Sequence, residues 1–304
     1  MGVGMKDLLS IRDLGKKDVE SFLTEASKME KLIGKKGAEL LPGKVVANMF
    51  FEPSTRTNMS FQTAAKRLGA KVLTFHSNTS SSAKGESLAD TIRMIDGYAD
   101  ALVLRHAIEG SARFAADIAE HPVINAGDGG NQHPTQTLID LYTIKKLKGK
   151  IAGLNVTLLG DLKHARAMRS LLYGLSMFGA EVTLASPMAL RMDEEMLTEA
   201  NEKFGAKPKQ TSEISLKECD VLYVCRIQKE RFSDPYEAEK MQKEFRVDTQ
   251  LLAGANKDMA IMHPLPKIDE IPPEVDCTPF AKYFEQAKNG VPVRMAVLYR
   301  CIKG

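Results

Sequence analysis

The stretch KVVANMFFEPSTRTNMSFQTAAKRL, residues 44–68, decides the fold. Its first part, 44–51, is a nearly unbroken apolar run without alternation, the pattern of a strand buried on both faces. Pro53 stops that strand, and Ser54 or Thr55 can cap a helix. From 55 to 68, Met59, Phe61, Ala64, Ala65 and Leu68 predict the apolar face of that helix. A buried strand that turns directly into a helix is the first half of a βαβ unit, and sheets built from such units are parallel.

The alternation continues along the chain. Strands are expected at 71–75, 101–104 and 123–125, helices at 87–97, 111–119 and 135–148, and a polar loop, NTSSSAK, at 78–84. The pattern then restarts with NVTLL at 155–159, a helix at 165–178, and strands at 181–185, 221–224 and 259–262. The segment 279–302 reads as helical over most of its length, with no periodicity to say where it packs. A chain of 304 residues is longer than one core absorbs, because single cores stop growing near ~250–300 residues. The reading is α/β, two doubly wound parallel-sheet domains with a boundary near 140–150.

Composition narrows the function. The chain has 42 Lys and Arg against 39 Asp and Glu, a net charge of +3, which argues against a nucleic-acid-coating surface. With no Trp and 6% aromatic residues, a carbohydrate cleft or a base-stacking platform is disfavoured. No window reaches the ~18 apolar residues of a membrane span, and residues 1–6 lack the apolar core of a signal peptide. Cys219, Cys225, Cys277 and Cys301 stand far apart with no CxxC pair, so they read as idle or buried thiols in a reducing cytosol. No metal site, no cofactor, no nucleic acid and no membrane are expected, and the protein reads as cytoplasmic.

In doubly wound folds ligands bind where strand C-termini meet helix N-termini. After the first strand stand Ser54, Thr55, Arg56 and Thr57, three hydroxyls and a guanidinium at a helix start, where open N–H groups favour an anion. The plainer alternative is an ordinary cap beside a surface arginine. Arg105 and His106 follow the third strand. GDGGNQHPTQ, 127–136, follows the fourth and places His133 and Gln136 at another helix start. In the second half Gly160–Arg166 (GDLKHAR) is no GxGxxG fingerprint, which leaves a nucleotide reading weak. Arg166 and Arg226 each read singly as surface charges; together they make a second anion site. His263-Pro264-Leu265-Pro266 forms a rigid loop after the last strand.

FEPSTRT (51–57), KGES (84–87), GDGGNQHPTQTLIDLYTI (127–144), GDLKHAR (160–166), RIQKER (226–231) and HPLP (263–266) together resemble the aspartate carbamoyltransferase family, over nearly the whole chain. RIQKER and HPLP point to the aspartate branch; an ornithine enzyme is expected to carry an SMG-type loop and HCLP.

The resemblance implies transfer of a carbamoyl group from carbamoyl phosphate to L-aspartate, in pyrimidine biosynthesis. It implies a carbamoyl phosphate-binding domain at 1–145, with a helix at about 285–304 packing back onto it, an aspartate-binding domain at 146–284, and an active site in the interdomain cleft. Ser54, Thr55, Arg56 and Thr57 would hold the phosphate; Thr57, Arg105 and His133 the carbamoyl oxygen; Gln136 the carbamoyl amide. Pro264, Leu265 and Pro266 would offer backbone groups, and Arg166, Arg226 and Gln228 would hold aspartate. Ser80 and Lys84 would come from the adjacent subunit of a homotrimer. Arg56, Thr57, Lys84, Arg105 and His133 are the expected catalytic residues. A separate zinc-containing regulatory chain is left open. Two positions depart from the family's pattern: Ala83 where many relatives carry Lys, and His164-Ala165 where Tyr-Gly is usual. The competing readings are a carbamoyltransferase for ornithine or another amine, and a non-catalytic binding module for phosphorylated metabolites.

Overall fold

Nine strands, in two all-parallel sheets, and ten α-helices lie among the residues described by a computed structural model, 6–35, 39–76, 85–227 and 234–303. In chain order they are α1 Lys16–Leu32, β1 Val45–Phe50, α2 Thr55–Arg67, β2 Lys71–His76, α3 Leu88–Asp96, β3 Ala101–His106, α4 Ser111–Ile118, β4 Val123–Asp128 and α5 Pro134–Lys148. There follow β5 Asn155–Leu159, α6 Arg166–Phe178, β6 Glu181–Ala185, α7 Glu194–Phe204, β7 Lys209–Thr211, β8 Val221–Val224, α8 Pro235–Glu244, α9 Thr249–Leu252, β9 Ala260–Met262 and α10 Tyr283–Lys303.

The chain divides into two units, Met1–Tyr142 with Asn289–Gly304, and Thr143–Lys288. The first contains a sheet of order β2-β1-β3-β4, the second a sheet of order β7-β6-β5-β8-β9. In both, the chain winds outward one way, returns, and winds outward the other way. The reversal falls between β1 and β3 in the first sheet and between β5 and β8 in the second. At such switch points the loops after neighbouring strands diverge and leave a crevice at the strands' carboxyl ends.

Continuous burial of Val46–Phe50 and Val221–Val224 follows from helices covering both faces of a parallel sheet. In the first unit Ala47, Met49, Leu102, Leu104 and Val123 pack with Ile92, Ala112 and Ala115. In the second, Leu159, Leu222, Val224 and Ile261 pack with Leu252, Val275 and Tyr283. The N-terminal segment covers the β4 edge through a parallel bridge between Leu8 and Ile124.

Several expected boundaries need correction. Met59 is 61% exposed, while α2 buries Thr57, Phe61, Ala64 and Ala65. Residues two apart on a helix lie about 200° apart, so Met59 cannot share Phe61's face. Strand β3 runs on to His106 and β4 to Asp128, because the ladder continues through the Phe50–Arg105 and His106–Asp128 pairs. Arg105 and Asp128 are thus strand residues, not loop residues. The helix expected from 165 begins at Arg166, with Ala165 at its N-cap. Helices α1, α7, α8 and α9 and the short strand β7 were not anticipated.

Candidate active site

In the first unit, β1 ends at the switch point and the chain turns into α2. Ser54 takes the N-cap position but its hydroxyl makes no cap hydrogen bond, contrary to the expected side-chain cap. The helix has no acidic residue in its first turn, so no carboxylate of its own offsets the positive end of its dipole. Asn48, fully buried in β1, donates to the Asn58 side-chain oxygen at 3.2 Å and ties the strand to the helix start. Thr57 is buried and Arg56 exposed. Partial desolvation of the Arg56 head group draws its pKa down from the ordinary value, and it remains a cation at neutral pH.

Register brings Arg105 to the same turn. Phe50 pairs with Arg105 across β1 and β3, and the Phe51 N–H donates to the Arg105 carbonyl at 2.9 Å. The Arg105 side chain donates to the Ala126 carbonyl at 3.3 Å, and its Nε lies 3.4 Å from Glu52 Oε2. Arg105 is therefore held by β4 on one side and by the FEPSTRT turn on the other. His106 packs against Phe51 in a tilted arrangement, with ring centroids 4.9 Å apart, and accepts the Ile108 N–H at Nδ1. Desolvation pushes its pKa down, against an opposing pull from Glu52.

The loop carrying His133 is built around one carboxylate. Buried Asp128 accepts from Gly110 N–H at 2.8 Å, Gln132 N–H at 3.1 Å, Asn125 Nδ2 at 2.8 Å and Asn131 Nδ2 at 3.0 Å. These bonds close the turn that leads to His133, which is buried at the entrance to α5. One turn into α5, Gln136 donates to Asp140, itself fully buried, at 2.8 Å.

In the second unit the site residues again follow the strands at the reversal. Arg166 is the first residue of α6, whose first turn holds no acid. Arg226 stands two residues past β8. Gly160 lets the ends of β5 and β8 lie close together: its φ is 122°, and a Cβ there would lie 2.1 Å from the Cys225 carbonyl oxygen. Only a residue without a side chain lets the β5 turn pass the end of β8. Asp161, fully buried, accepts the His164 N–H at 2.9 Å and faces the His164 ring at 3.1 Å.

The HPLP loop follows β9. Leu265 has φ 59°, in the left-handed region, and its peptide bond to Pro266 is cis. A non-glycine residue there is held by its surroundings. His263 supplies the hold: its N–H donates to Gln286 Oε1 at 2.8 Å, its Nδ1 accepts the Leu265 N–H at 2.8 Å, and its Nε2 meets Glu270 at 2.9 Å. Since Nδ1 accepts, the proton is on Nε2 and points at Glu270. Burial alone would raise the Glu270 carboxyl, but hydrogen bonds from His263 and the Ile268 N–H hold it below the usual carboxylate range.

Among the described residues no cluster of three or more His, Cys, Asp or Glu is spaced to hold a metal ion, and no helix is long and apolar enough to cross a membrane. Cys219, Cys225 and Cys301 are buried and Cys277 is exposed.

The family profile described as aspartate/ornithine carbamoyltransferase, carbamoyl-P binding domain, matches residues 6–146, and the one described as the Asp/Orn binding domain matches residues 152–301. The chain belongs to the aspartate/ornithine carbamoyltransferase family. An aspartate carbamoyltransferase catalytic subunit from Thermococcus onnurineus is 51% identical over 297 residues, covering 96% of each chain. One from Archaeoglobus fulgidus is 49% identical over 296 residues, 97% of this chain and 98% of that one. Among solved structures, the catalytic subunit of M. jannaschii aspartate transcarbamoylase superposes with a TM-score of 0.92 at 49% identity, covering 98% of both chains. The Trypanosoma cruzi aspartate transcarbamoylase in complex with N-(phosphonacetyl)-L-aspartic acid gives 0.92 at 36% identity, covering 97% of this chain and 95% of that one.

Within this carbamoyltransferase, Ser54, Thr55, Arg56, Thr57 and Arg105 stand together at one switch point, with His133 and Gln136 after the neighbouring strand β4. Arg166 and Arg226 stand at the other switch point, with Pro264, Leu265 and Pro266 after the neighbouring β9. Ser80, Ala83, Lys84 and Gln228 lie outside the described residues. Sequence reasoning missed the supports: Glu52 beside Arg105, Asp128 beneath the His133 turn, Asp140 behind Gln136, and Glu270 behind the HPLP loop. Glu52 was legible as the one acid in FEPSTRT and Asp128 as the one acid in GDGGNQ. Glu270 gives no signal, because only the fold returns it to His263.

Proposed function

We propose that the chain transfers the carbamoyl group of carbamoyl phosphate to the amino group of L-aspartate, giving N-carbamoyl-L-aspartate and phosphate, in de novo pyrimidine biosynthesis. One observation carries the reading. In each unit the arginines stand at the carboxyl ends of the two strands that flank the chain reversal: Arg56 and Arg105 in one, Arg166 and Arg226 in the other. Two pairs of cations suit two anionic substrates, and the second pair would repel the cationic side chain of ornithine.

In this reading Ser54, Thr55, Arg56 and Thr57 hold the phosphate together with the open N–H groups of α2. Thr57, Arg105 and His133 donate to the carbamoyl oxygen and Gln136 receives the carbamoyl amide. Arg166, Arg226 and Gln228 bind the two carboxylates of aspartate, and the HPLP backbone lines the carbamoyl and amino groups. The neutral amine attacks the carbonyl carbon and forms the new C–N bond. Charge gathers on the carbonyl oxygen, where fixed donors are worth about 2.7–4 kcal/mol each. The C–O bond to phosphate then breaks, and the amine proton leaves on the phosphate. Orientation of the two substrates supplies much of the rest, up to ~7–11 kcal/mol in favourable systems. Asp140 already engages the Gln136 amide, which fixes its carboxamide for the substrate.

The chain acts in the cytoplasm as a homotrimer in which Ser80 and Lys84 complete the neighbour's site. Mixed Lys84→Gln and Arg56→Ala chains then regain activity that neither has alone; no gain after verified exchange speaks against sharing. Co-purification shows whether a smaller zinc-containing regulatory chain joins the trimer. The decisive assay supplies carbamoyl phosphate with aspartate or with ornithine and measures the carbamoylated product. Product from aspartate is expected, and product from ornithine alone overturns the reading.

A further inference from the structure

Arg294, on α10 in the first unit, is 4% exposed and lies outside every motif that the sequence singles out. Its Nη1 donates to Ser60 Oγ at 2.7 Å, and its guanidinium carbon sits 4.9 Å from the centre of the Phe61 ring. Ser60 Oγ in turn lies 2.7 Å from the Arg56 carbonyl and 3.0 Å from the Thr57 carbonyl. The hydroxyl thus accepts from the buried cation and donates to the carbonyls in the first turn of α2. Room for the guanidinium is built in: a Cβ on Gly290, one turn earlier in α10, would come within 2.9 Å of Arg294 Nη1.

The same cation is felt by the rest of the cradle. Burial pulls its pKa down to about 9, the Asp140 carboxylate works against that, and Arg105 adds to it. Asp140 is the acceptor of the Gln136 amide. A buried guanidinium is costly, and well-packed apolar residues often replace such groups without loss of stability. Packing therefore gives no reason for a charge here, whereas a fixed donor beneath a phosphate turn does.

We propose that Arg294 is a positioning residue of the carbamoyl phosphate subsite, which holds the turn at 54–57 in its binding shape through Ser60. The inference rests on the proposed carbamoyl transfer. The test compares the full-length wild type with Arg294→Lys, Ser60→Ala and the double variant. Orthophosphate affinity is measured by calorimetry, with KM for each substrate, kcat and the melting temperature. Loss of one charge-assisted hydrogen bond is expected to weaken phosphate binding and raise KM for carbamoyl phosphate by about tenfold, with KM for aspartate within about twofold. The double variant is expected to be no worse than the larger single change, because both cut one relay. Unchanged phosphate affinity with a lowered melting temperature overturns the proposal, and so do additive effects. If Arg294→Lys does not fold, Ser60→Ala reads the relay from its other end, and unchanged phosphate affinity there overturns the proposal equally. A wild type without turnover would defeat the carbamoyl-transfer reading, while the phosphate titration would still decide the role of Arg294.

Discussion

The two switch points present the same kind of residue by different means. In the first unit the functional side chains rest on polar neighbours. Arg105 meets Glu52, His133 follows a turn closed by four hydrogen bonds to Asp128, and Arg294 reaches the turn at 54–57 through Ser60. In the second unit Arg166 and Arg226 depend on close backbone approach at Gly160, and the neighbouring loop on the His263–Glu270 pair. The difference suits the roles proposed for them. Donors that must meet a developing oxyanion gain from being fixed in advance. Donors that only grip the carboxylates of a second substrate need reach more than rigidity.

The comparison breaks most sharply at Arg105. Arg105→Ala should lower kcat by about 10²–10³, the loss of one donor to the oxyanion, whereas Arg226→Ala should act chiefly on KM for aspartate. Steady-state kinetics with each substrate varied separates the two; equal effects on both parameters would erase the division of labour. Gly160→Ala comes next. A Cβ 2.1 Å from a backbone oxygen at φ 122° forces β5 and β8 apart, a loss of about 3 kcal/mol or more. Urea unfolding should show it, and an unchanged midpoint would mean that the turn relaxes freely. Asp128→Ala should cost about 1–3 kcal/mol, because it strands buried donors in the His133 turn. It should raise KM for carbamoyl phosphate and leave KM for aspartate nearly unchanged.

The fold was legible wherever periodicity alone sets it. The strands expected at 155–159, 181–185 and 221–224 match β5, β6 and β8, because strands of a parallel sheet covered on both faces stay mostly apolar. Helices α1 and α7 escaped notice because their charged faces dilute the apolar stripe, which in α1 is Val19, Phe22, Leu23, Ala26 and Met29. At the site, the residues that follow strands could be read from chain order, since the doubly wound topology sends those positions to the strands' carboxyl ends. Their supports could not. Arg294 stands 234 residues from Ser60, and no local pattern marks a partner that only the returning C-terminal helix delivers.

The smallest expected effect tests the second unit's own polar support. Glu270 has a folded-state pKa below its ordinary value, because the His263 hydrogen bond and the Ile268 N–H outweigh burial. A carboxyl with a depressed folded pKa adds stability that is fully present above its unfolded pKa and is lost as pH falls through the folded one. The wild type should therefore lose this contribution below about pH 4.3, the ordinary glutamate value. Glu270→Gln keeps an acceptor for His263 but no charge, so it should cost about 1 kcal/mol at neutral pH. The gap between the two proteins should narrow as the solution is acidified. Unfolding curves between neutral pH and pH ~3 measure that gap. A constant gap would show that the carboxylate charge adds nothing to the HPLP loop.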